Sequence, residues 1–122
     1  IDINTSSIAI LGLSYKNNTI SIKNSPSIYL INSLDSSNIH VYDPVVKQEH
    51  YDNKSIKFFN SALDACDGCE VLIIMTPWEE FSSLDINKLK LLLKGDLIID
   101  PYKALSKKNI LNSGLRYKTL GI

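Results

Sequence analysis

The sequence lacks the features that mark several large functional classes. Its 13 basic and 13 acidic side chains cancel to a formal net charge of zero, so no overall field favours nucleic acid or an anionic membrane, and any anion site has to be local. The longest apolar runs, residues 71–75 and 97–99, are far too short to span a bilayer, and no basic segment followed by an apolar one opens the chain. These absences predict a soluble, cytoplasmic protein without nucleic-acid or membrane partners.

Cysteine is scarce, and the two cysteines, Cys66 and Cys69, form a single C-x-x-C. A redox pair of this kind opens a helix after a strand, and a zinc site needs a second cysteine pair or a nearby histidine. The two histidines, His40 and His50, are distant in sequence. The sequence therefore predicts no metal site and two small, partly buried packing residues.

Glycine is too sparse for the standard phosphate-binding fingerprints. None of the five glycines completes G-x-G-x-x-G, and Gly12 with Lys16 does not form G-x-x-x-x-G-K-[ST]. We therefore do not expect a complete NAD-binding domain in this chain.

What is present is an alternation of short β-branched runs with helical segments, which is typical of a parallel sheet covered by helices. A length of 122 residues with 44% hydrophobic residues is sufficient for one core. The predicted fold is a three-layer α/β domain spanning residues 1–122, with a mainly parallel sheet of about five or six strands and helices on both faces. Because the chain begins with Ile1 rather than Met, we expect a fragment of a longer protein.

The predicted elements follow from apolar runs and from residues that start or stop helices. The run at 71–75 has no polar alternation, which indicates a strand covered on both faces. Ser25 with Pro26 predicts an N-cap followed by a proline at the first helical position, and Gly95 and Gly114 predict helix ends. The predicted strands are 8–11, 39–42, 56–59, 71–75, 97–99 and 117–120, and the predicted helices are 26–34, a short one after Ser61, 85–93 and 107–113.

The loop after the first predicted strand is the richest candidate site. Ligands of open parallel α/β sheets bind at the carboxyl ends of the strands, where loops and helix N-termini converge. Residues 12–19 read G-L-S-Y-K-N-N-T and lead to the helix at Pro26. A glycine, an aromatic ring, a lysine and a capped helix tip offer an anionic nucleotide close backbone approach, apolar contact, positive charge and N–H donors. Lys16 and Lys23 can both point at such a ligand.

This loop and four later segments together resemble the C-terminal domain of the UDP-glucose/GDP-mannose dehydrogenase family. In that family a strand leads into G-L-x-[FY]-K-x-x-T-x-D-x-R-x-S-P. The matching segments here are G-L-S-Y-K at 12–16 with Thr19 and Ser25-Pro26, V-Y-D-P at 41–44, the stretch 62–81, the turn that begins at Asp100, and G-L-R-Y at 114–117.

The resemblance implies a Rossmann-like domain that holds the nucleotide of a sugar nucleotide such as UDP-glucose. The implied enzyme is an NAD-dependent 6-dehydrogenase, which oxidises the sugar C6 alcohol to a carboxylate in two hydride transfers by way of a cysteine-linked thiohemiacetal. In the family, NAD and the catalytic cysteine belong mainly to preceding regions, so this chain alone is expected to be inactive, and the full-length enzyme to be a homodimer. The implied substrate-binding residues are Tyr15, Lys16, Thr19, Tyr102 and Lys103, and the implied cofactor-binding residue is Lys23.

Two positions depart from the family pattern. The family aspartate and arginine are Ser21 and Lys23 here, and lysine keeps the charge but loses the bidentate fork of arginine. In the turn after Asp100, Tyr102 replaces the family arginine, with Lys103 beside it. A divergent subfamily with another nucleotide sugar and a partly decayed site both remain open.

Two other functional classes compete with this hypothesis. A receiver-like signalling module places a threonine and a lysine at strand ends, as Thr76 and Lys103 are expected to lie here, with Asp43 as the phosphoacceptor. Receivers also need an acidic pair after the first strand, where this chain has Gly12-Leu13-Ser14. The third class is a non-enzymatic interaction domain that retains the fold.

Several conspicuous side chains have ordinary structural interpretations that the sequence favours. Asp43 is expected to cap the turn before Pro44 rather than bind a ribose. Trp78 is expected to pack beneath a loop rather than stack on a base. Glu79 and Glu80 are adjacent and diverge, so they are expected to be solvated.

Overall fold

The computed structural model describes residues 6–16, 18–34, 38–51, 53 and 56–119. Strands and helices alternate along these ranges. The strands are β1 (Ile8–Leu11), β2 (Ile39–Tyr42), β3 (Ile56–Phe58), β4 (Val71–Ile74), β5 (Leu97–Ile99) and β6 (Arg116–Lys118). The α-helices are α1 (Pro26–Ser33), α2 (Ala62–Cys66), α3 (Ile86–Leu92) and α4 (Lys107–Asn112), with 3₁₀ turns at Gln48–His50 and Glu79–Ser83.

The six strands form one sheet in the order β3-β2-β1-β4-β5-β6, and every neighbouring pair is parallel. This is the strand order of a doubly wound dinucleotide-binding fold, so the predicted Rossmann-like parallel sheet is confirmed. The direction of winding reverses between β1 and β4, and the crevice for ligands in such sheets opens at the carboxyl ends of those two strands.

Side-chain alternation along the central strands builds a core on each face of the sheet. Successive residues of a strand point to opposite faces. Accordingly, Ile8 and Ile10 of β1 join one buried cluster together with Ile31 of α1, whereas Ala9 and Leu11 join the other. That second cluster includes buried residues of α2, α3 and α4. Helices therefore cover both faces, as predicted.

Edge strand β6 and central strand β4 differ from their predicted bounds because pairing with a neighbouring strand limits each of them. β6 pairs only with the three residues of β5, in the register Leu97 to Arg116 and Ile99 to Lys118. It therefore covers residues 116–118 instead of the predicted 117–120, and Leu120 lies outside the described residues. β4 likewise ends at Ile74, where its pairing with β1 stops.

Three of the described α-helices begin with a side-chain cap, and in α4 it is the Ser106 hydroxyl, which accepts the Asn109 N–H at 3.3 Å. The Ser61 hydroxyl accepts the Asp64 N–H at the start of α2, as predicted, and the Asp85 carboxylate accepts two N–H groups at the start of α3. No helix in the described ranges has the length and apolar character needed to cross a membrane.

We expect Gly12→Ala to lower the free energy of unfolding by about 2–4 kcal/mol in urea titrations. Gly12 has a φ of +96°, and a Cβ there would lie 2.5 Å from the Thr76 Cβ and 2.7 Å from its backbone nitrogen. The substitution therefore adds both backbone strain and steric overlap. Gly68→Ala is the control, since Gly68 has a φ of +79° with no atom within 4 Å of the added Cβ, so only about 1–2 kcal/mol should be lost. Equal losses would contradict the role of the contact with Thr76.

Candidate functional site

The segment that follows β1 lies at the point where ligands of doubly wound sheets bind. We call residues 12–25 the β1 loop, of which Asn17 is outside the described residues. Four of the predicted site residues, Tyr15, Lys16, Thr19 and Lys23, lie in it. Tyr102 and Lys103 follow β5, two strands away from β1 in the sheet, which corresponds to about 10 Å at ordinary strand spacing.

A buried carboxylate connects the β1 loop to the turn after β2. Asp43 is 1% exposed. Its Oδ2 accepts the N–H groups of Leu13 at 2.7 Å and Ser14 at 3.2 Å, and its Oδ1 accepts those of Val45 at 2.9 Å and Val46 at 2.8 Å. The predicted cap of the turn before Pro44 is thus confirmed. Both oxygens are occupied, so Asp43 is not available to a ribose or a phosphoryl donor.

The carbonyl groups of the β1 loop are also occupied from within the protein. Four hydroxyl groups donate to them: Ser27 to Gly12 at 2.5 Å, Ser25 to Leu13 at 2.6 Å, Thr76 to Ser14 at 2.9 Å and Ser14 to Lys16 at 2.7 Å. The Tyr15 N–H donates to the Ser21 carbonyl at 2.6 Å. The start of the loop therefore has a fixed backbone whose polar groups are largely paired with the protein itself.

The first turn of α1 does not face a ligand in the way the sequence suggested. Ser25 occupies the N-cap position and Pro26 begins the helix, as predicted, but the Ser25 side chain makes no capping bond. The Leu13 carbonyl binds that hydroxyl instead. Ser25 and Ser27 are 1% and 0% exposed, and Pro26 has no N–H. The helix tip therefore holds the β1 loop rather than opening to solvent.

The side chains of the β1 loop, unlike its backbone, are available to a ligand. Tyr15 is 53% exposed, and Lys16 and Lys23 are exposed. Neither lysine forms an ion pair with any residue that the structure describes. Thr19 is half-buried, and its hydroxyl accepts the Ser21 N–H at 3.2 Å. The loop thus presents an aromatic ring and two unpaired ammonium groups.

A cavity of about 500 Å³ includes Thr19 of the β1 loop in its lining, and we call it the rim trough. It is lined by Asn18, Thr19, Ile20, Val45 and Trp78. Three of the five are apolar, and Ile20 and Val45 are exposed. Trp78 also packs against the buried cluster beneath it, as predicted, so its ring is both a packing element and a wall of the trough.

Tyr102 and Lys103 belong to a separate part of the rim. Tyr102 is 45% exposed and does not line the rim trough. Lys103 has a φ of +55° and lines a cavity of about 350 Å³ with Leu105, Lys107, Tyr117 and Thr119. The structure therefore brings Tyr15, Lys16 and Thr19 together on one loop and does not bring Tyr102 or Lys103 to them.

Asp100 fixes the turn that carries Tyr102 and Lys103. It is fully buried, and its carboxylate accepts the N–H groups of Ala104 at 2.9 Å and Leu105 at 2.8 Å and the hydroxyl of Tyr117 at 2.7 Å. Burial and this hydrogen bond raise the pKa of Tyr117 to about 12. Asp100 is therefore a structural carboxylate of its own turn.

The paired glutamates do not form a carboxylate site. Glu79 and Glu80 are exposed, as predicted. Glu80 is nevertheless engaged, because it accepts the Tyr42 hydroxyl at 2.8 Å. Burial and this bond raise the pKa of Tyr42, so the phenol stays protonated and holds the 3₁₀ turn against the end of β2.

The two cysteines are packing residues, as predicted. Both are free and buried. The Cys69 thiol donates to the Ala65 carbonyl at 3.4 Å, and His40 Nδ1 lies 2.9 Å from the same carbonyl and 3.3 Å from Cys69 Sγ. His40 therefore contacts Cys69 directly, although the two residues are 29 positions apart in sequence. In the part of the chain that the structure describes, no cluster of three or more potential metal ligands is found.

The residues that sequence reasoning missed are those that hold the β1 loop. Asp43 was expected to cap its own turn, but its bonds to Leu13 and Ser14 were not foreseen, nor was the bond from Thr76 to Ser14. The positions of Asp43 and Thr76 in the sequence are the signal that could have revealed these bonds. Both residues follow strands that neighbour β1, and parallel strands bring their carboxyl ends to one edge.

Comparison with known proteins agrees with this geometry. A sequence model described as "UDP-glucose/GDP-mannose dehydrogenase family, UDP binding domain" matches residues 9–107. The UDP-glucose 6-dehydrogenase of Rickettsia bellii is 34% identical over 125 residues, which cover 98% of this chain and 29% of that protein. The UDP-glucose 6-dehydrogenase of Rhizobium meliloti is 35% identical over 127 residues, which cover 98% of this chain and 28% of that protein.

The chain belongs to the UDP-glucose/GDP-mannose dehydrogenase family. It spans less than a third of the length of these relatives and corresponds to the family's UDP-binding domain.

Solved structures share the fold of this UDP-binding domain at low sequence identity. An NDP-N-acetyl-D-galactosaminuronic acid dehydrogenase from Methanosarcina mazei aligns with a TM-score of 0.81 at 16% identity, covering 97% of this chain and 25% of that chain. A UDP-D-ManNAc dehydrogenase from Pyrococcus horikoshii aligns with a TM-score of 0.77 at 23% identity, covering 98% and 26%.

We expect Cys69 to make the stability of this UDP-binding domain fall at alkaline pH. Burial, followed by the nearby charges of Asp67 and Glu70, raises the pKa of Cys69 from 9.0 to about 12. Because the folded-state pKa is raised, the stabilisation is complete below pH 9 and is lost as pH rises towards 12. The difference in Tm between the unaltered chain and Cys69→Ala should therefore decrease between about pH 7.5 and about pH 10.5. A difference that stays constant over that range would contradict the shifted pKa.

Proposed function

We propose that this chain holds the nucleotide of a nucleotide-sugar substrate, as the C-terminal domain of an NAD-dependent 6-dehydrogenase. The observation that carries the proposal is the β1 loop. The backbone at the start of this loop is fixed by bonds to the protein, Tyr15 and Lys16 are exposed, and later residues of the loop line the rim trough. Membership of the UDP-glucose/GDP-mannose dehydrogenase family supports the assignment of nucleotide and reaction.

In this proposal the phosphates are recognised by side-chain charge rather than by a backbone cradle. The N–H groups of Leu13, Ser14 and Tyr15 already donate to acceptors of the protein, so they do not form an anion nest. The Lys16 ammonium has no ion pair among the described residues and provides a flexible point charge for the diphosphate. Tyr15 contributes a ring to the nucleotide end of the substrate.

The rim trough is the space that the nucleoside enters in this proposal. Ile20, Val45 and Trp78 give it apolar walls, which suit the faces of a base and a ribose, and ligand sites of this kind combine an apolar lining with a few polar groups. Thr19 and Asn18 supply those polar groups.

The predicted site residues other than Tyr15, Lys16 and Thr19 have secondary roles in the proposal. Lys23 is placed towards the cofactor and supplies one charge without a fork. Tyr102 and Lys103, across the sheet, contact the part of the substrate that extends away from the nucleotide.

The described residues do not form a dinucleotide cradle. The chain lacks the G-x-G-x-x-G fingerprint. In dinucleotide-binding domains that fingerprint lies in the loop after the first strand, and here the N–H groups of Leu13 and Ser14 in this loop donate to Asp43. NAD, which accepts the hydrides in the family's reaction, is proposed to be held mainly by a part of the enzyme outside this chain. The catalytic cysteine is placed there too, since Cys66 and Cys69 are buried packing residues.

The chain covers 29% of the Rickettsia bellii relative, which supports its being one domain of a longer dehydrogenase. In the proposal that longer enzyme dimerises through regions other than this one, and this chain alone binds substrate without turning it over.

We expect UDP and UDP-glucose to bind the isolated chain and Lys16→Ala to weaken that binding about tenfold or more, because a charge-assisted contact to phosphate is lost. Isothermal titration calorimetry gives the dissociation constants. Lys94→Ala is the matched control, since Lys94 is an exposed lysine that follows α3 at the opposite edge of the sheet.

Titration with GDP in the same series separates the nucleotide preference from the charge requirement. Binding of UDP with equal affinity to the unaltered chain and to Lys16→Ala would contradict the role of Lys16. No binding of either nucleotide at millimolar concentration would contradict the proposed function itself.

A further inference from the structure

We propose that Asp43 is a positioning residue for nucleotide binding: without touching the ligand, its carboxylate fixes the peptide N–H groups of Leu13 and Ser14, which immediately precede Tyr15 and Lys16. The inference rests on the proposed function and adds to it a residue outside the binding surface. Its basis is the four hydrogen bonds that the carboxylate accepts from two different loops.

The two oxygens of Asp43 have different tasks. Oδ1 accepts hydrogen bonds from the N–H groups of Val45 and Val46, which lie in the turn that follows Asp43 along the chain. Oδ2 accepts hydrogen bonds from the N–H groups of Leu13 and Ser14, which lie in the β1 loop, 30 and 29 residues earlier. A cap of the local turn needs only the first pair of bonds, so the second pair has no role in that turn.

Asp100 shows what a carboxylate does in the same fold when its backbone partners all lie in its own turn. It also ends a strand, is buried and precedes a proline. Its backbone partners, Ala104 and Leu105, both belong to its own turn, and its third partner is the Tyr117 side chain. Asp43 differs because it fixes the backbone of a second loop.

The peptide units fixed in this way immediately precede the predicted ligand contacts. Ser14 is held at its N–H by Asp43 at 3.2 Å and at its carbonyl by Thr76 at 2.9 Å, and these two residues lie after strands on opposite sides of β1. Tyr15 is held at its N–H by Ser21. A ligand therefore has only the side chains of Tyr15 and Lys16 left to order, which lowers the entropic cost of binding.

Asp43 is insulated from the ligand, so any effect on affinity is transmitted through the loop. The residue is 1% exposed, and four backbone N–H groups compensate its charge. Removing the carboxylate leaves buried N–H groups without partners, and the loop is expected to rearrange to satisfy them.

The test compares Asp43→Asn with Asp85→Ala in the same chain. An asparagine at 43 replaces one acceptor oxygen with an NH₂ group, which faces two N–H donors and displaces one of the loops. Asp85 also accepts two backbone N–H groups, Asn87 at 3.0 Å and Lys88 at 3.2 Å, but at the start of α3. Its removal costs stability without reaching the β1 loop.

The expected result is a loss of UDP affinity of about tenfold in Asp43→Asn and an unchanged affinity in Asp85→Ala. Both affinities are measured at a temperature at which circular dichroism and urea titration show that the two variants are folded. Thr76→Val is a milder second variant, since it removes only the bond to the Ser14 carbonyl and keeps the side-chain shape. It should weaken UDP binding by a smaller factor and keeps the test available if Asp43→Asn does not fold.

Unchanged UDP affinity in Asp43→Asn and in Thr76→Val would overturn the inference. Equal losses of UDP affinity in those variants and in Asp85→Ala would also overturn it, because they would indicate a general effect of reduced stability. Hydrogen exchange of the Tyr15 amide gives a readout without ligand, and its protection should fall in Asp43→Asn but not in Asp85→Ala. If UDP does not bind the unaltered chain, the proposed function fails, and unaltered Tyr15 protection in Asp43→Asn would separately overturn the role of Asp43.

Discussion

The hydrogen bonds between the Asp43 carboxylate and four backbone N–H groups organise the carboxyl edge of this sheet. A parallel sheet brings the ends of β1, β2 and β4 to one edge but leaves the loops beyond them free to diverge. Here a carboxylate from the end of β2 and a hydroxyl from the end of β4 converge on Ser14. The β1 loop thereby acquires one backbone conformation, and the exposure of Tyr15 and Lys16 follows from it.

This arrangement differs from a glycine-rich phosphate-binding loop. In dinucleotide-binding folds the backbone itself approaches the phosphates, and the helix tip supplies N–H groups. In this chain Gly12 is packed against Thr76, and the tip of α1 is turned into the loop through Ser25 and Ser27. The same strand order thus leaves exposed side chains, rather than free amides, at the start of this loop.

The sequence predicted most of the scaffold because its signals are local. Residues 71–74 are apolar without interruption, which identifies a central strand, and residues 8–11, 39–42 and 97–99 were bounded correctly by their turns. The end of β6 was missed because its length is set by pairing with β5, which no local pattern records. The network around Ser14 was missed for the same reason, since Asp43 and Thr76 are 29 and 62 residues away from it in sequence.

The closed backbone of the β1 loop has a consequence for how this family can diversify. Because Gly12, Leu13 and Ser14 are bound within the protein, the positions that face outward are uncoupled from the scaffold. Exchanges at 15, 16 and 20, whose side chains are exposed, are expected to leave the folding energy nearly constant. A library restricted to those three codons would therefore sample new surface chemistry with few unfolded members.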